Sequence, residues 1–155
     1  NAFGISKEKL IVGVKKVKPI PHRLELKKMG NIHVIHDDYN SNPVGAKAAL
    51  DVLKLMPGKR VIVTPGMIEL GNREYELNLE LGRQIAQVCD EVILVGEQKT
   101  KPIQEGLQLE DYPEKKVHII NNVVIAYQLL QKMQEKGKDL YALFENDLPD
   151  QYNEK

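Results

Sequence analysis

The stretch "HRLELKKMGNIHVIHDDYNSNPVGAKAAL", residues 22–50, decides the fold. A short apolar run at 32–35 passes straight into two aspartates, then into a loop with two asparagines and a proline, then into an amphipathic segment. Leu24-Glu25-Leu26 and the 32–35 run flank Met29-Gly30-Asn31, which has the composition of a hairpin turn. Asn42-Pro43 reads as a helix start, because an Asn oxygen accepts from the first free N–H groups and proline has no N–H to leave unsatisfied. The predicted helix, 44–56, sets Ala48, Ala49, Val52 and Leu53 on one side, and Pro57-Gly58 stops it. One cap suffices for one helix. Neither packing nor capping therefore asks for the whole polar crowd at 36–42, and a ligand is the remaining reason for it.

Working outward, the same strand-then-helix pattern recurs. "RVIVTPG" (60–66) precedes a predicted helix at 74–88, and "EVILVG" (91–96) precedes one beginning near Lys101-Pro102. "KVHII" (116–120) leads into a helix at 123–136 with Val124, Tyr127, Leu130 and Met133 at helical spacing, and "DLYALF" (139–144) completes the series. Short β-branched strands alternating with helices imply a parallel sheet covered on both faces. The expected fold is a Rossmann-like three-layer α/β domain, its sheet mostly parallel with an antiparallel hairpin strand at one side. The expected organisation is a lead-in segment at 1–20 from a preceding domain, the α/β domain at 21–145 and a polar tail at 146–155. Such sheets bind ligands beyond the carboxyl ends of their strands, where the loops at 36–43, 64–73 and 96–101 fall.

Composition narrows the function. The 155 residues carry 22 Lys+Arg against 22 Asp+Glu, a formal net charge of zero, which argues against a general nucleic-acid surface. The single cysteine, Cys89, cannot make an internal disulfide, as expected of a cytoplasmic chain. No apolar run approaches a membrane span. The chain opens with Asn rather than Met, as a piece of a longer protein would.

The sequence has no Gly-x-x-x-x-Gly-Lys-Ser/Thr loop, no Gly-x-Gly-x-x-Gly and no Gly-x-Ser-x-Gly; it reads as half of a site. Asp37 at a strand end suits the hydroxyls of a ribose; the plainer alternative is a capping role. Asn40 either meets a ligand or closes an Asx-turn. Arg23 offers a planar fork for phosphate or carboxylate, although an Arg at a strand start is ordinarily solvated. Glu69 and Glu74 suit a cationic group or a helix N-terminus, and Lys99 and Lys101 read as solvated. His22, His33 and His118 show no metal-ligand spacing, and no metal site is expected.

"PHRLE", "VIHDDYNSNPVGAKAAL" and "VIVTPGMIELG", in this order and spacing, together resemble the C-terminal domain of the Mur ligases, nearest the D-alanyl-D-alanine-adding branch. The resemblance spans about residues 20–130. It implies part of an ATP-dependent, amide-bond-forming enzyme of bacterial peptidoglycan precursor synthesis, working through an acyl phosphate. It also implies partner domains on the same chain: an N-terminal domain for a UDP-sugar peptide and a central domain with the P-loop and the Mg2+ ligands. An amine would be the second substrate. By the same resemblance, Arg23 matches an ATP-phosphate contact and Asp37 a ribose contact, with Asn40 near the nucleotide. Asn42, Met67, Glu69 and Gly71 match the side that takes the incoming amine, and no catalytic residue is expected in this piece. The chain departs from the family pattern in having Pro65-Gly66 for a Gly-Asp, Asn78 for a histidine, His36 for an aspartate and Asp38 for a serine. The alternatives are a non-catalytic binding module on the same scaffold and a folate-type glutamate ligase domain.

Overall fold

The computed structural model describes residues 6, 20–38 and 41–146. Asn40, nearly all of the lead-in segment and the tail beyond Asn146 lie outside the described residues. In chain order the elements are β1 (Glu25–Met29), β2 (Ile32–Asp37), α1 (Pro43–Lys54), β3 (Lys59–Thr64), α2 (Glu74–Ala86), β4 (Glu91–Val95), α3 (Lys101–Leu109), β5 (Val117–Ile120), α4 (Val123–Met133) and β6 (Leu140–Glu145). Single 3-10 turns at Gly71–Arg73 and Glu114–Lys116 precede α2 and β5.

The six strands form one sheet in the order β1-β2-β6-β3-β4-β5. Only β1 runs antiparallel, pairing with β2 through a turn whose register sets Met29 opposite Ile32. The expected mostly parallel sheet with a hairpin strand at one side is therefore present. What the strand pattern did not reveal is the position of β6: the last strand inserts between β2 and β3, parallel to both. All six of its residues are buried, as a strand with neighbours on both edges and layers on both faces must be.

Period-two alternation sends side chains to opposite faces. Ile35, Ile62, Val92, Leu94 and Leu143 pack with residues of α1, α2 and α3 on one face. Val34, Val61, Val63, Ile93, Val95, Ala142 and Phe144 pack with residues of α4 on the other. The layers are thus unequal, three helices against one. Full burial of each Leu, Ile or Val in this set contributes about 1.5–3 kcal/mol.

The core face of α1 is Ala46, Ala49, Leu50 and Leu53. Of the four residues expected there, Ala49 and Leu53 are buried, Val52 is half-buried and Ala48 points to solvent. The helix presents itself turned toward the i−3 and i+1 neighbours because α2 lies beside it as well as the sheet beneath. In α4 the buried residues are Val123, Ala126 and Leu130, and the helix stops at Met133, short of the expected 136; Val124 is exposed.

Helices α2 and α3 approach at two glycines. A Cβ on Gly82 would stand 2.2 Å from the Ile103 carbonyl oxygen, and one on Gly106 would stand 2.1 Å from that of Leu79. Backbone atoms cannot rotate aside as a side chain can, so the helices must part to admit a methyl group. Gly106→Ala is predicted to lower stability by about 1–3 kcal/mol, the usual cost of overpacking, despite alanine's better helix propensity. Chemical denaturation of the 155-residue chain checks this, and an unchanged midpoint would contradict the close approach.

Candidate functional site at the carboxyl ends of the strands

Because β6 lies between β2 and β3, the loops after β2 and β3 meet across its end. Two buried residues there tie them together. Glu145, 1% exposed, accepts from the Ser41 hydroxyl in the first loop and from Thr64 Oγ1 at the end of β3, at 3.2 Å. The Asn146 side chain accepts from the Ser41 backbone N–H at 3.1 Å and donates to the Gly66 carbonyl at 2.6 Å. Its backbone N–H donates to the Asp37 carbonyl at 3.1 Å. One dipeptide at a strand end thereby fixes both candidate loops. Burial pushes the Glu145 carboxyl up to about 7, against the lowering by its Ser41 and Thr64 donors. Sequence reading missed this pair, which lay at the border of the expected tail; "EN" directly after an all-apolar strand was the available signal.

Asn42 caps α1 as expected, its Oδ1 accepting from the N–H groups of Val44 and Gly45 at 3.2 and 3.0 Å. Asp37 ends β2 half-buried, and its Oδ1 accepts from the Leu24 N–H at 3.2 Å. Its carboxyl is raised from the ordinary value chiefly by desolvation; the Leu24 N–H and the Arg23 charge act the other way, and the neighbouring Asp38 raises it further. Arg23 is exposed and its charge acts on Asp37, so the hairpin carries it to the rim where β2 ends. The residues on either side of it, His22 and Leu24, hold left-handed backbone at φ 61° and 49°. Non-glycine residues adopt that conformation rarely, and it gathers at functional sites.

The loop after β3 is anchored by Asn78 of α2, which is 3% exposed. Its Oδ1 accepts from the Met67 N–H, and its Nδ2 donates to the carbonyls of Met67 and Glu74, all at 2.8–2.9 Å. Met67 itself is 2% exposed and packs in the core, so its side chain anchors the loop. Glu69 and Gly71 are exposed, both with positive φ. Gly66, at φ 85°, has no room for a side chain: a Cβ would lie 2.8 Å from Asn78 Oδ1. The Pro65-Gly66 and Asn78 departures thus form one structural unit. The third loop brings Gln98, Lys99 and Lys101 beside Glu74, Tyr75 and Asn78 around an open cavity of about 340 Å³.

Two of the histidines do not stand apart. His22 Nδ1 lies 2.8 Å from Asp38 Oδ1, and His36 Nδ1 lies 3.1 Å from Asp38 Oδ2. Linear spacing gave no hint of this, because His22 reaches the cluster through the hairpin. Cys89 is buried, and burial pushes its thiol far above the ordinary value, so it is no nucleophile.

A doubly covered parallel sheet with an Asp and an Arg at its carboxyl rim defines a Rossmann-like domain with a candidate nucleotide site. The family described as "Mur ligase, glutamate ligase domain" matches residues 22–143, and the chain belongs to that family. It is 34% identical over 87 residues to the UDP-N-acetylmuramoyl-tripeptide–D-alanyl-D-alanine ligase of Bacillus subtilis, covering 54% of this chain and 19% of that one. Among solved structures, MurF from Acinetobacter baumannii superposes with a TM-score of 0.73 at 27% identity, over 94% of this chain and 32% of that one. MurF from Thermotoga maritima in complex with ADP shares the fold, with a TM-score of 0.73 at 24% identity, over 92% of this chain and 31% of that one. The chain therefore spans about a fifth of that curated relative and about a third of those structures.

The Glu145 knot yields a pH prediction. Its carboxyl is raised in the folded state, so the fold binds a proton that the unfolded chain releases near pH 4.5. Stability from this group is complete below that point and is lost as pH rises through about 7. Thermal melts of wild type are expected to fall between pH 5 and 8, by up to about 3 kcal/mol. In Glu145→Gln that decline should be largely gone; parallel pH profiles would show that Glu145 is not its source.

Proposed function

We propose that this chain is the C-terminal domain of a cytoplasmic, ATP-dependent carboxylate–amine ligase of the D-alanyl-D-alanine-adding type, acting in bacterial peptidoglycan precursor synthesis. The observation that supports the reading is the family match over residues 22–143, with Asp37 at the end of β2 lying within reach of the Arg23 charge. Among the described residues no helix is long and apolar enough to cross a membrane.

In this reading ATP gives its terminal phosphoryl group to a substrate carboxylate, leaving ADP and an acyl phosphate, and the amine then attacks the acyl carbon, forming the amide and releasing phosphate. Asp37 accepts hydrogen bonds from the ribose hydroxyls, for which a half-buried carboxylate is well matched: it is partly desolvated yet reachable. Arg23 pairs with a phosphate oxygen, a charge-assisted contact. Asn40, in the same loop, meets the nucleotide. The Asn42 oxygen is already engaged in capping, so its amide NH2 is the group it offers to the amine substrate. Glu69 and Gly71 line the acceptor side, with Met67 and Asn78 as their anchor. The P-loop and Mg2+ ligands come from a central domain, and a further domain holds the UDP-sugar peptide. Closure of the three excludes water from the acyl phosphate.

Two experiments test this. In the full-length enzyme, Arg23→Ala and Asp37→Ala are each expected to lower kcat/KM for ATP by about 10- to 100-fold, the effect of losing one hydrogen bond to a charged group. Wild-type kinetics in both would remove the nucleotide assignment. The 155 residues alone are expected to show no ligation and no ATP hydrolysis, since the sequence contains no phosphate-cradling loop. Turnover by the isolated chain would favour a different active site. A saturable small-molecule affinity with no ligase activity in the parent protein would favour the binding-module alternative. The match to a UDP-N-acetylmuramoyl-tripeptide–D-alanyl-D-alanine ligase supports the Mur reading over a folate-type glutamate ligase.

A further inference from the structure

We propose that His22, His36 and Asp38 form a binding site for a divalent transition-metal ion of the zinc type. One ligand atom from each residue lies within 4.8 Å of the other two. The two His–Asp separations are already 2.8 and 3.1 Å, whereas ligand atoms around a tetrahedral zinc stand about 3.3 Å apart, given bonds of about 2.0–2.1 Å. Those contacts go to different oxygens of Asp38, so admitting an ion takes a rotation of the carboxylate and small adjustments of the two imidazoles.

Each ligand has its own support. His36 sits on β2, paired with Glu25 on one side and Phe144 on the other, and its ring packs against Phe144 at 5.7 Å. Asp38 directly follows the strand and presents one oxygen to each imidazole. His22 is turned toward them by its left-handed backbone, its N–H held by Glu25 Oε2 at 3.4 Å. Two imidazole nitrogens with one carboxylate select zinc, cobalt or nickel, whereas magnesium prefers an all-oxygen octahedron. Three protein ligands leave a coordination position open.

The position gives the ion a role. It would clasp the turn before β1 to the end of β2, and so hold Arg23 and Asp37, which alternate with the ligands along the chain. The site stands apart from the Mg2+ expected with ATP, and its existence does not depend on the ligase reading.

The test uses the metal alone. The 155-residue chain is titrated with Co2+ while its visible absorption is followed, and Zn2+ is then added in competition; calorimetry supplies the stoichiometry. The expected result is one ion per chain, a d–d spectrum abolished by Zn2+, and no competition from millimolar Mg2+. His22→Gln and Asp38→Asn should each weaken binding about tenfold or more, while His118→Gln, whose ring pairs with Glu91 between β5 and β4, should leave it unchanged. His22 has a side chain 54% exposed, so its substitution leaves the fold intact and its result decides the matter even if Asp38→Asn is unstable. Absence of a saturable cobalt spectrum, or unaltered affinity in His22→Gln, would overturn the proposal and leave the cluster as a hydrogen-bonded clasp.

Discussion

The structure turns on a buried polar knot at the end of β6. Glu145 and Asn146 stand at the centre of the sheet's carboxyl rim, each 1% exposed, and between them hold Ser41, Thr64, Gly66 and the Asp37 carbonyl. A buried carboxylate is costly unless its oxygens are hydrogen-bonded. Here the two hydroxyl donors reach both oxygens, and the residual desolvation shows as the raised Glu145 carboxyl. A hydrophobic pair in the same place would pack as well, but it would give the two loops no fixed register. The knot converts the insertion of one strand into the placement of a site.

From that fixed point the rim divides into two halves, one beside β2 and one beside β3. On the β2 side, Arg23 lies between two residues in left-handed backbone, and its charge acts on Asp37 at the end of the strand. On the β3 side, Asn78 grips Met67 from both directions, so that Glu69 and Gly71 stand outward on a loop that is rigid at its base. On the β2 side Arg23 and Asp37 match the Mur pattern while His36 and Asp38 depart from it. On the β3 side the departures are mutually adjusted: a Cβ on Gly66 would meet Asn78 Oδ1 at 2.8 Å. In this proposal the domain keeps its grip on ATP while its acceptor loop is remodelled as a unit.

His36 and Asp38 depart from the same family pattern, and in the structure they contact one another. Each is bonded within a cluster completed by His22, three residues of which no two read as ligands along the sequence. Whether bridged by protons or by an ion, they brace the turn that carries Arg23. The site thus has two supports, a buried one beneath the loops at β6 and an edge one beside β2.

Much of this was determined by the chain order alone. Short apolar, β-branched runs identified every core strand, the Asn42-Pro43 dipeptide marked the cap of α1, and Met29-Gly30-Asn31 set the hairpin, because these are local preferences of backbone and side chain that need no distant partner. The polar crowd at 36–42 announced a site for the same reason: no local need explained it. Tertiary structure decided the rest. Which strand neighbours which, and so the placing of β6 between β2 and β3, depends on contacts between residues about a hundred apart, such as Ser41 with Glu145. The turned face of α1 depends on α2 beside it, and the histidine cluster depends on a hairpin folding back. Periodicity reports what each segment buries; only packing determines against what it is buried, and therefore which polar residues meet.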